Sequence, residues 1–600
     1  MTMSPAAHSL PALSSSHRPL ADHSANWRML LLAAAALVVG SGGAFGAWVL
    51  IKAIAIATNL FWFGRLDGSP AAIVDNALGV WLVVVPAIGS LIVGLMARFG
   101  SDKIRGHGIP EAIEAILYGE SRLSLKVALL KPLSSAISIG SGGPFGAEGP
   151  IIMTGGAIGS LFAQSFQLSA AERKTLLVAG AAAGMTAIFG SPMAAILLAI
   201  EVLLFEWKPR SFVPVVIAVL VSFLWRPVLI ESGPMFPVHH AMELNAELLG
   251  IALVMGALAG LQAAVLSNGL YRVEDIFARL PLHWMWWPAL GGIAVGIGGL
   301  CDAHVLGAGY ESIRALLDGS LVIRVAVALL VVKALVWLIA LGSGTSGGVL
   351  APLLLMGGAL GFLLGQMLPG GGALWALAGM AGILSGAMRA PLTAALFAVE
   401  LTGDFAMLPL TMAASASAYG VSVLVMRRSI LTEKIARRGR HVLQEYTVDP
   451  LDFLQAEQVM TPAPHTLPAT MTAAEACAFF GEEGRHRSYP VVDDEGRLLG
   501  MVSRLDALRW QVGGAPAGAT MAEMLSDVSV PSGNPKDAIS RIADMMVDTG
   551  CGRIPIVDPA SRRVIGILTR HDLLKTRHAH RSAENLRSGR HPKPANLSHG

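Results

Sequence analysis

A chain that crosses a bilayer must bond its own backbone, and this one breaks that rule at a conspicuous place. Within a very apolar region stands Gly140-Ser-Gly-Gly-Pro-Phe-Gly-Ala-Glu148-Gly-Pro150, dense in glycine and proline and carrying one bare carboxylate. Lipid cannot satisfy loose N–H and C=O groups, so such a break is tolerated only against protein or a water-filled cavity. A helix restarting there aims free N–H groups and the positive end of its dipole into the cavity, which suits an anion. A second break matches the first: Gly342-Ser-Gly344 precedes Gly348-Val-Leu-Ala-Pro352 at the spacing by which Gly140-Ser-Gly142 precedes Gly146-Ala-Glu-Gly-Pro150. Paired breaks in the two halves of a membrane chain point to a transport site.

Composition supports a polytopic membrane protein. Of 600 residues, 54% are hydrophobic and 14% charged, against about 25% charged in soluble domains. Apolar runs fall near 28–62, 71–99, 122–139, 148–165, 173–190, 192–205 and 211–230. A second set falls near 247–270, 285–304, 321–341, 347–369, 372–389, 391–402 and 405–426. Several are shorter than the roughly 20 residues of a simple span, so tilted or re-entrant helices are expected. The net charge of +3 gives no field that argues for nucleic acid, and Cys301, Cys477 and Cys551 show neither metal-ligand spacing nor a disulfide framework. Residues 1–27 are polar and lack the pattern of a signal peptide, so the first apolar run is expected to stay as a membrane helix.

The halves, about 28–230 and 247–427, repeat beyond the glycine breaks. Ser191-Pro-Met-Ala-Ala-Ile-Leu-Leu-Ala-Ile-Glu201 reappears as Ala390-Pro-Leu-Thr-Ala-Ala-Leu-Phe-Ala-Val-Glu400. Two matched pairs in the same order imply an internal two-fold repeat with a site at its interface. Trp284, Trp286 and Trp287 read either as an interfacial belt or as ordinary lipid and core contacts. Arg427, Arg428, Lys434, Arg437, Arg438 and Arg440 face one acid, Glu433, which by the positive-inside bias puts the end of the membrane domain, at about residue 440, in the cytoplasm.

After a linker at 441–454 the composition becomes that of a soluble α/β module with two related units, 455–513 and 518–577. The first runs through Val459-Met-Thr-Pro462, Tyr489-Pro-Val-Val-Asp493 and Gly500-Met-Val-Ser503-Arg-Leu-Asp506; the second through Ile554-Pro-Ile-Val-Asp558 and Gly566-Ile-Leu-Thr569-Arg-His-Asp572. Asp506 and Asp572 either cap the helices they begin or hold a ribose. The tail, 578–600, is basic, His-rich and poor in apolar residues, and disorder is expected there.

These residues resemble the chloride channel/transporter (CLC) family followed by a tandem CBS-domain pair. The resemblance rests on Gly106-His-Gly-Ile-Pro110, Gly146-Ala-Glu-Gly-Pro150, Gly348-Val-Leu-Ala-Pro352 and Ser429-Ile-Leu-Thr-Glu433, in order, over roughly 30–440, and on the CBS pair at about 455–577. It implies a mostly α, polytopic fold of two inverted helical repeats, a homodimer in lipid with one anion pathway per subunit, and a soluble α/β CBS pair. Helix N-termini then meet at mid-membrane around chloride. The N–H groups near His107, Gly108 and Ile109, near Ala147, Glu148 and Gly149, and near Val349 and Leu350 supply partial charge without a full cation, so an ion can leave as well as enter. Glu148 takes the place of the family's gating glutamate. Held as a carboxylate it occupies an anion position, and protonated it swings away. A group of this kind at membrane depth costs at least about 2.5 kcal/mol and is functional by default.

Departures from the family pattern carry expectations too. His107 stands where many members have a serine, Leu350 where phenylalanine is usual, and Leu431 where a tyrosine hydroxyl completes the central site. Central binding should therefore rest on backbone N–H groups, with His107 either touching the pathway or packed and bonded to a carbonyl. At the end of the Ser191–Glu201 segment the proton-coupled branch has two glutamates; here the pair reads Glu201-Val202, which favours channel-like passage over exchange unless water or Glu206 substitutes. Glu201 and Glu400 are expected to satisfy helix ends or the subunit interface. Lys126 and Lys131 either shape the pathway's potential or, for Lys126, snorkel or pair. The CBS pair, expected in the cytosol, brings Ser503, Asp506, Thr569 and Asp572 as candidate contacts for an adenine nucleotide. No other cofactor and no metal is expected. The alternatives are an H+/Cl− exchanger of the same family and, more remotely, a CBS-linked divalent-cation transporter, which should show clustered acids in its membrane segments. No catalytic constellation in the membrane domain suggests an enzyme.

Overall fold

The computed structural model describes residues 27–240, 243–440, 442, 451, 454–513, 516, 518–525 and 530–587. Almost all of the segment read at 1–27, most of the linker and the end of the tail lie outside them. The chain divides into two compact units, up to Gln444 and from Glu445.

The first unit is helical. Its first half comprises α1 (Arg28–Phe63), α2 (Val84–Phe99), α3 (Ile109–Tyr118), α4 (Leu125–Gly140), α5 (Glu148–Ser165), α6 (Ala170–Phe189), α7 (Pro192–Leu198) and α8 (Pro209–Leu229). The second comprises α9 (Ala246–Ala278), α10 (Trp287–Cys301), α11 (Tyr310–Leu317), α12 (Ile323–Gly342), α13 (Leu350–Gly365), α14 (Gly371–Met388), α15 (Pro391–Thr402) and α16 (Leu408–Val425), and α17 (Ile430–Arg437) follows. Among the described residues eight helices are long and apolar enough to cross a bilayer, so the protein is an integral, multi-pass membrane protein. The apolar runs locate most elements but leave out α17 and the short, amphipathic pair α3 and α11. Each of that pair follows a Gly-X-Gly whose glycines have positive φ: Gly106 and Gly108 at 83° and 88°, Gly307 and Gly309 at 62° and 78°.

Packing repeats as the sequence does. Helix α1 packs on α6 and α8 as α9 packs on α14 and α16. The α5–α6 pair touches backbone to backbone, since a Cβ on Gly155 would meet the Gly180 carbonyl at 2.2 Å; the α13–α14 pair does the same, with Gly357 against the Gly379 carbonyl at 2.5 Å. Small residues are what allow membrane helices to approach this closely. The equivalent helices α7 and α15 run in opposite directions. Glu400, ending α15, accepts from Met193 and Ala194 N–H at the start of α7 (2.9 and 2.8 Å). Glu201, past the end of α7, accepts from Thr393 N–H and its hydroxyl at the start of α15 (2.9 and 2.6 Å). The repeats are thus inverted, and both carboxylates are spent on helix ends. Trp284 and Trp287 lie under the Arg105 guanidinium, 4.7 and 5.7 Å from their ring centroids, while Trp286 is exposed.

The second unit holds two three-stranded sheets. One has order β2 (Leu467–Pro468), β3 (Ser488–Val492), β4 (Leu498–Ser503), with β2 parallel to β3. The other has order β1 (Thr461–Pro462), β6 (Val564–Thr569), β5 (Arg553–Val557). The unit that begins at 455 lends its first strand to the other: β1 pairs with β6, Thr461 opposite Ile567, and Ala456 packs in the second core. In return Met521 and Leu525 pack in the first. The final helix, Arg570–Arg587, runs past 578 into the tail read as disordered. No glycine or proline interrupts it, and once nucleated a helix adds a bond for each residue fixed.

Removing the Glu400 carboxylate leaves two first-turn N–H groups of α7 without acceptors. Glu400→Ala should cost about 1–3 kcal/mol, read as a lowered thermal midpoint of the detergent-solubilised protein, with Glu400→Gln losing less.

Candidate functional site

Four helix N-termini carry the motif residues: α3 after Gly108, α5 after Ala147, α13 after Val349 and α17 after Ser429. The two broken loops meet directly. Gly146 N–H donates to the Gly348 carbonyl at 3.2 Å and Gly348 N–H to the Gly146 carbonyl at 2.9 Å, an antiparallel bridge between the halves. The α3 loop lies on the same place. A Cβ on Gly149 would stand 1.8 Å from the His107 carbonyl oxygen, and one on Gly108 would stand 2.9 Å from the Gly149 carbonyl oxygen. His107, Gly108, Ala147, Glu148, Gly149, Val349 and Leu350 are therefore brought together, as their motifs predict. Ile109, Val349, Leu350 and Leu431 are fully buried apolar side chains, so what they offer is backbone. Leu431 lies in the first turn of α17, which packs on α3 and α14.

Glu148 is fully buried, and its carboxylate has no close, well-aligned hydrogen bond; the groups that face it are its own N–H, the Ala351 N–H and the Tyr310 hydroxyl. Its carboxylate fills a notch made by two missing side chains. A Cβ on Gly146 would lie 2.0 and 2.4 Å from its oxygens, and one on Gly348 would lie 2.6 Å from Oε2. The group thus sits where N-termini of opposite halves converge, a position favourable to negative charge.

His107 is also buried, with both ring nitrogens unbonded among the described residues. The reading of a histidine bonded to a nearby carbonyl is not what the structure has. One donor is free when the ring is neutral. Below it, Glu111 closes α3 on itself: Oε2 accepts Gly108 N–H at 3.1 Å, and Oε1 pairs with Lys434 at 2.8 Å and with Arg438 at 3.4 Å. Lys131 Nζ donates to the Ile104 and Gly106 carbonyls and to Ser346 Oγ at 2.8, 2.6 and 3.0 Å, using all three of its protons. Lys126 is exposed.

Val202 is fully buried in a π-helical stretch, Ala199–Leu204, that continues α7 and packs on α3. Glu206 is committed to Ser211 (2.7 Å), Lys208 (3.5 Å) and Lys174 (3.8 Å). In the second unit Ser503 and Asp506, and likewise Thr569 and Asp572, form the same closed box. Asp506 Oδ2 accepts the Ser503 N–H and hydroxyl at 3.0 and 2.5 Å, and Asp572 Oδ2 accepts those of Thr569 at 2.9 and 2.7 Å. Both aspartates cap their helices.

Sequence reasoning missed Tyr310, whose hydroxyl accepts the Ala147 N–H at 3.4 Å from the other half. It also missed Lys333, fully buried on α12. The signals were present: Gly307-Ala-Gly309 echoes Gly106-His-Gly108, and Lys333 precedes Gly342 as Lys131 precedes Gly140.

The profile described as voltage gated chloride channel matches residues 88–423, and the CBS domain profile matches 456–513 and 525–579. The voltage-gated ClC-type chloride channel ClcB of Escherichia coli is 31% identical over 427 residues, covering 69% of this chain and 100% of that protein. The protein of the same name from Salmonella typhimurium is 31% identical over 373 residues, covering 60% of this chain and 89% of that protein. Among solved structures, a slow cyanobacterial Cl−/H+ antiporter superposes with a TM-score of 0.60 at 23% identity, over 69% of this chain and 99% of that one. A eukaryotic CLC transporter gives a TM-score of 0.57 at 20% identity, over 91% of this chain and 98% of that one.

A methyl on Gly146 would meet the movable end of Glu148 first. In Gly146→Ala the carboxylate should leave the notch, seen as a changed Glu148 rotamer in a structure of the variant with the Gly146–Gly348 bridge retained. Inverted repeats, converging glycine-broken helices and a profile match over more than half the chain lead to one assignment: the protein belongs to the voltage-gated chloride channel (CLC) family and carries a CBS pair after its membrane unit.

Proposed function

We propose that the protein passes chloride, or a similar small anion, across the membrane through the notch between α5 and α13, with Glu148 as the gate. The observation that carries this reading is the carboxylate itself, buried between helix N-termini of opposite halves with no charged partner and facing only N–H groups and the Tyr310 hydroxyl. As an anion it competes for the position a passing ion would take; protonated, it no longer gains from the N-termini and leaves. Acidification therefore opens the pathway. The relatives named as chloride channels support chloride as the ion.

Passage is channel-like in this reading because Val202 offers no proton-carrying group and Glu206 is held by a hydroxyl and two lysines. H+/Cl− exchange is the second reading, by a proton route that does not pass through Val202. The same proposal makes the protein a homodimer and places the CBS pair in the cytosol as a regulatory module that binds an adenine nucleotide. Asp506 and Asp572 would contact ribose through the oxygen not used in capping, with Ser503 and Thr569 beside it.

Proteoliposomes under a chloride gradient, with chloride and external pH followed together, test the main reading. Chloride efflux should rise as pH falls, without stoichiometric proton movement, and Glu148→Ala and Glu148→Gln should make it independent of pH. Persistent pH dependence in both variants would remove Glu148 from the gate, and chloride-driven uphill proton movement would establish exchange. For the CBS pair, isothermal titration of the full-length protein with ATP, ADP and AMP should give heat that Asp506→Asn with Asp572→Asn abolishes; no heat at millimolar nucleotide would count against the site.

A further inference from the structure

The inverted repeat places two equivalent N-termini around the notch, and their charges are balanced differently. Helix α3 begins after Gly106-His-Gly108 with Lys131 and Lys434 nearby, and Glu111 neutralises the group by folding back to Gly108 N–H and pairing with Lys434. Helix α11 begins after Gly307-Ala-Gly309, with Lys333 as the equivalent buried lysine. A Cβ on Gly309 would lie 2.9 Å from Lys333 Nζ, so the ammonium stands at the N-terminus of α11. Ser312 occupies the place of Glu111, and Glu311 is exposed.

The two lysines differ in the same sense. All three protons of Lys131 are bonded, whereas the one acceptor on Lys333 Nζ is the Gly307 carbonyl at 3.1 Å, and no carboxylate lies within ion-pair distance among the described residues. A buried amine beside the positive end of a helix, with no anionic side chain, lacks the partner that would favour its charged form, and a bound anion would supply one. It also adjoins the pathway. Tyr310, the first residue of α11, reaches the Ala147 N–H next to Glu148.

The α11 N-terminus lies at the end of the unit away from α17. The Tyr310 ring is 6.3 Å from that of Phe236, whose N–H bonds to the Leu401 carbonyl at the end of α15, where α16 is about to begin. Helix α17 follows the other end of α16, about 27 Å away at 1.5 Å per residue.

We propose that the N-terminus of α11 beside Lys333 is a second anion position, entered from the face away from α17. Lys333 and the N–H groups opening α11 hold the ion, and the Tyr310 hydroxyl hands it to the Ala147 N–H when Glu148 withdraws. The proposal rests on the anion-pathway reading above, and the two are separable. The test is anomalous diffraction from crystals grown in bromide, for the wild-type protein, Lys333→Met and the charge-keeping Lys333→Arg, with chloride flux measured over a range of chloride concentrations.

Bromide density is expected beside Lys333 Nζ in the wild type and in Lys333→Arg, and is expected to vanish in Lys333→Met while density at the Glu148 notch or central site remains. Lys333→Met and Tyr310→Phe should each raise half-saturating chloride about five- to tenfold, with flux converging on wild type at high chloride. Pathway density in the wild type without density at α11 would overturn the second position and leave the transport reading standing. Bromide at neither place would overturn both. The wild-type crystal decides the question even if Lys333→Met fails to fold.

Discussion

Everything in the membrane unit depends on how backbone without a helical partner is held inside an apolar body. Gly146 and Gly348 solve part of the problem for each other by exchanging two hydrogen bonds across the halves. The remaining N–H groups at the starts of α5 and α13 are left facing the notch that Glu148 occupies. The same absence of side chains that lets the two loops meet makes room for the carboxylate. Stability and transport therefore draw on one local geometry, and neither half can make it alone.

The reciprocal caps extend this dependence through the fold. Glu201 completes a helix of the second half and Glu400 one of the first, so each half supplies the acceptor the other lacks. Charge, by contrast, is not shared evenly. The face bearing α17 is dense with ion pairs, Arg437 with Asp275 and Arg438 and Arg440 with Glu114, and these tie α17 to α9 and α3. Beside α11 the buried Lys333 has no such carboxylate partner among the described residues. An inverted fold with this bias presents different electrostatics at its two mouths even though its backbone is nearly symmetrical.

Much of the site was legible because its chemistry is backbone chemistry, and glycine and proline mark special backbone in any sequence. The motifs at 106–110, 146–150 and 348–352 converge as expected, and the equivalence of Glu201 and Glu400 is readable as repeated sequence before it is seen as repeated geometry. Less legible were parts whose signal is weak in hydropathy. Helix α11 is short and amphipathic, so Tyr310 was not connected to the pathway, and Lys333 sits in a run whose apolar character hides it. In the soluble unit, Thr461-Pro462 is too short for periodicity to assign a partner, and its pairing with β6 is decided by packing. The aspartates 506 and 572 show the converse: a hydroxyl followed by an acid three residues on was open to two readings, and the folded chain shows the capping geometry that one of them requires.

The exchange of β1 into the second sheet has a consequence for synthesis. Thr461 finds its partner only when Ile567 has been made, which at 5–20 residues per second is a delay of roughly 5–20 s. During that interval β1 has no strand to pair with and Ala456 has no core to enter. The first core is complete once Leu525 has emerged, but the segment that precedes it in the chain must wait for the second.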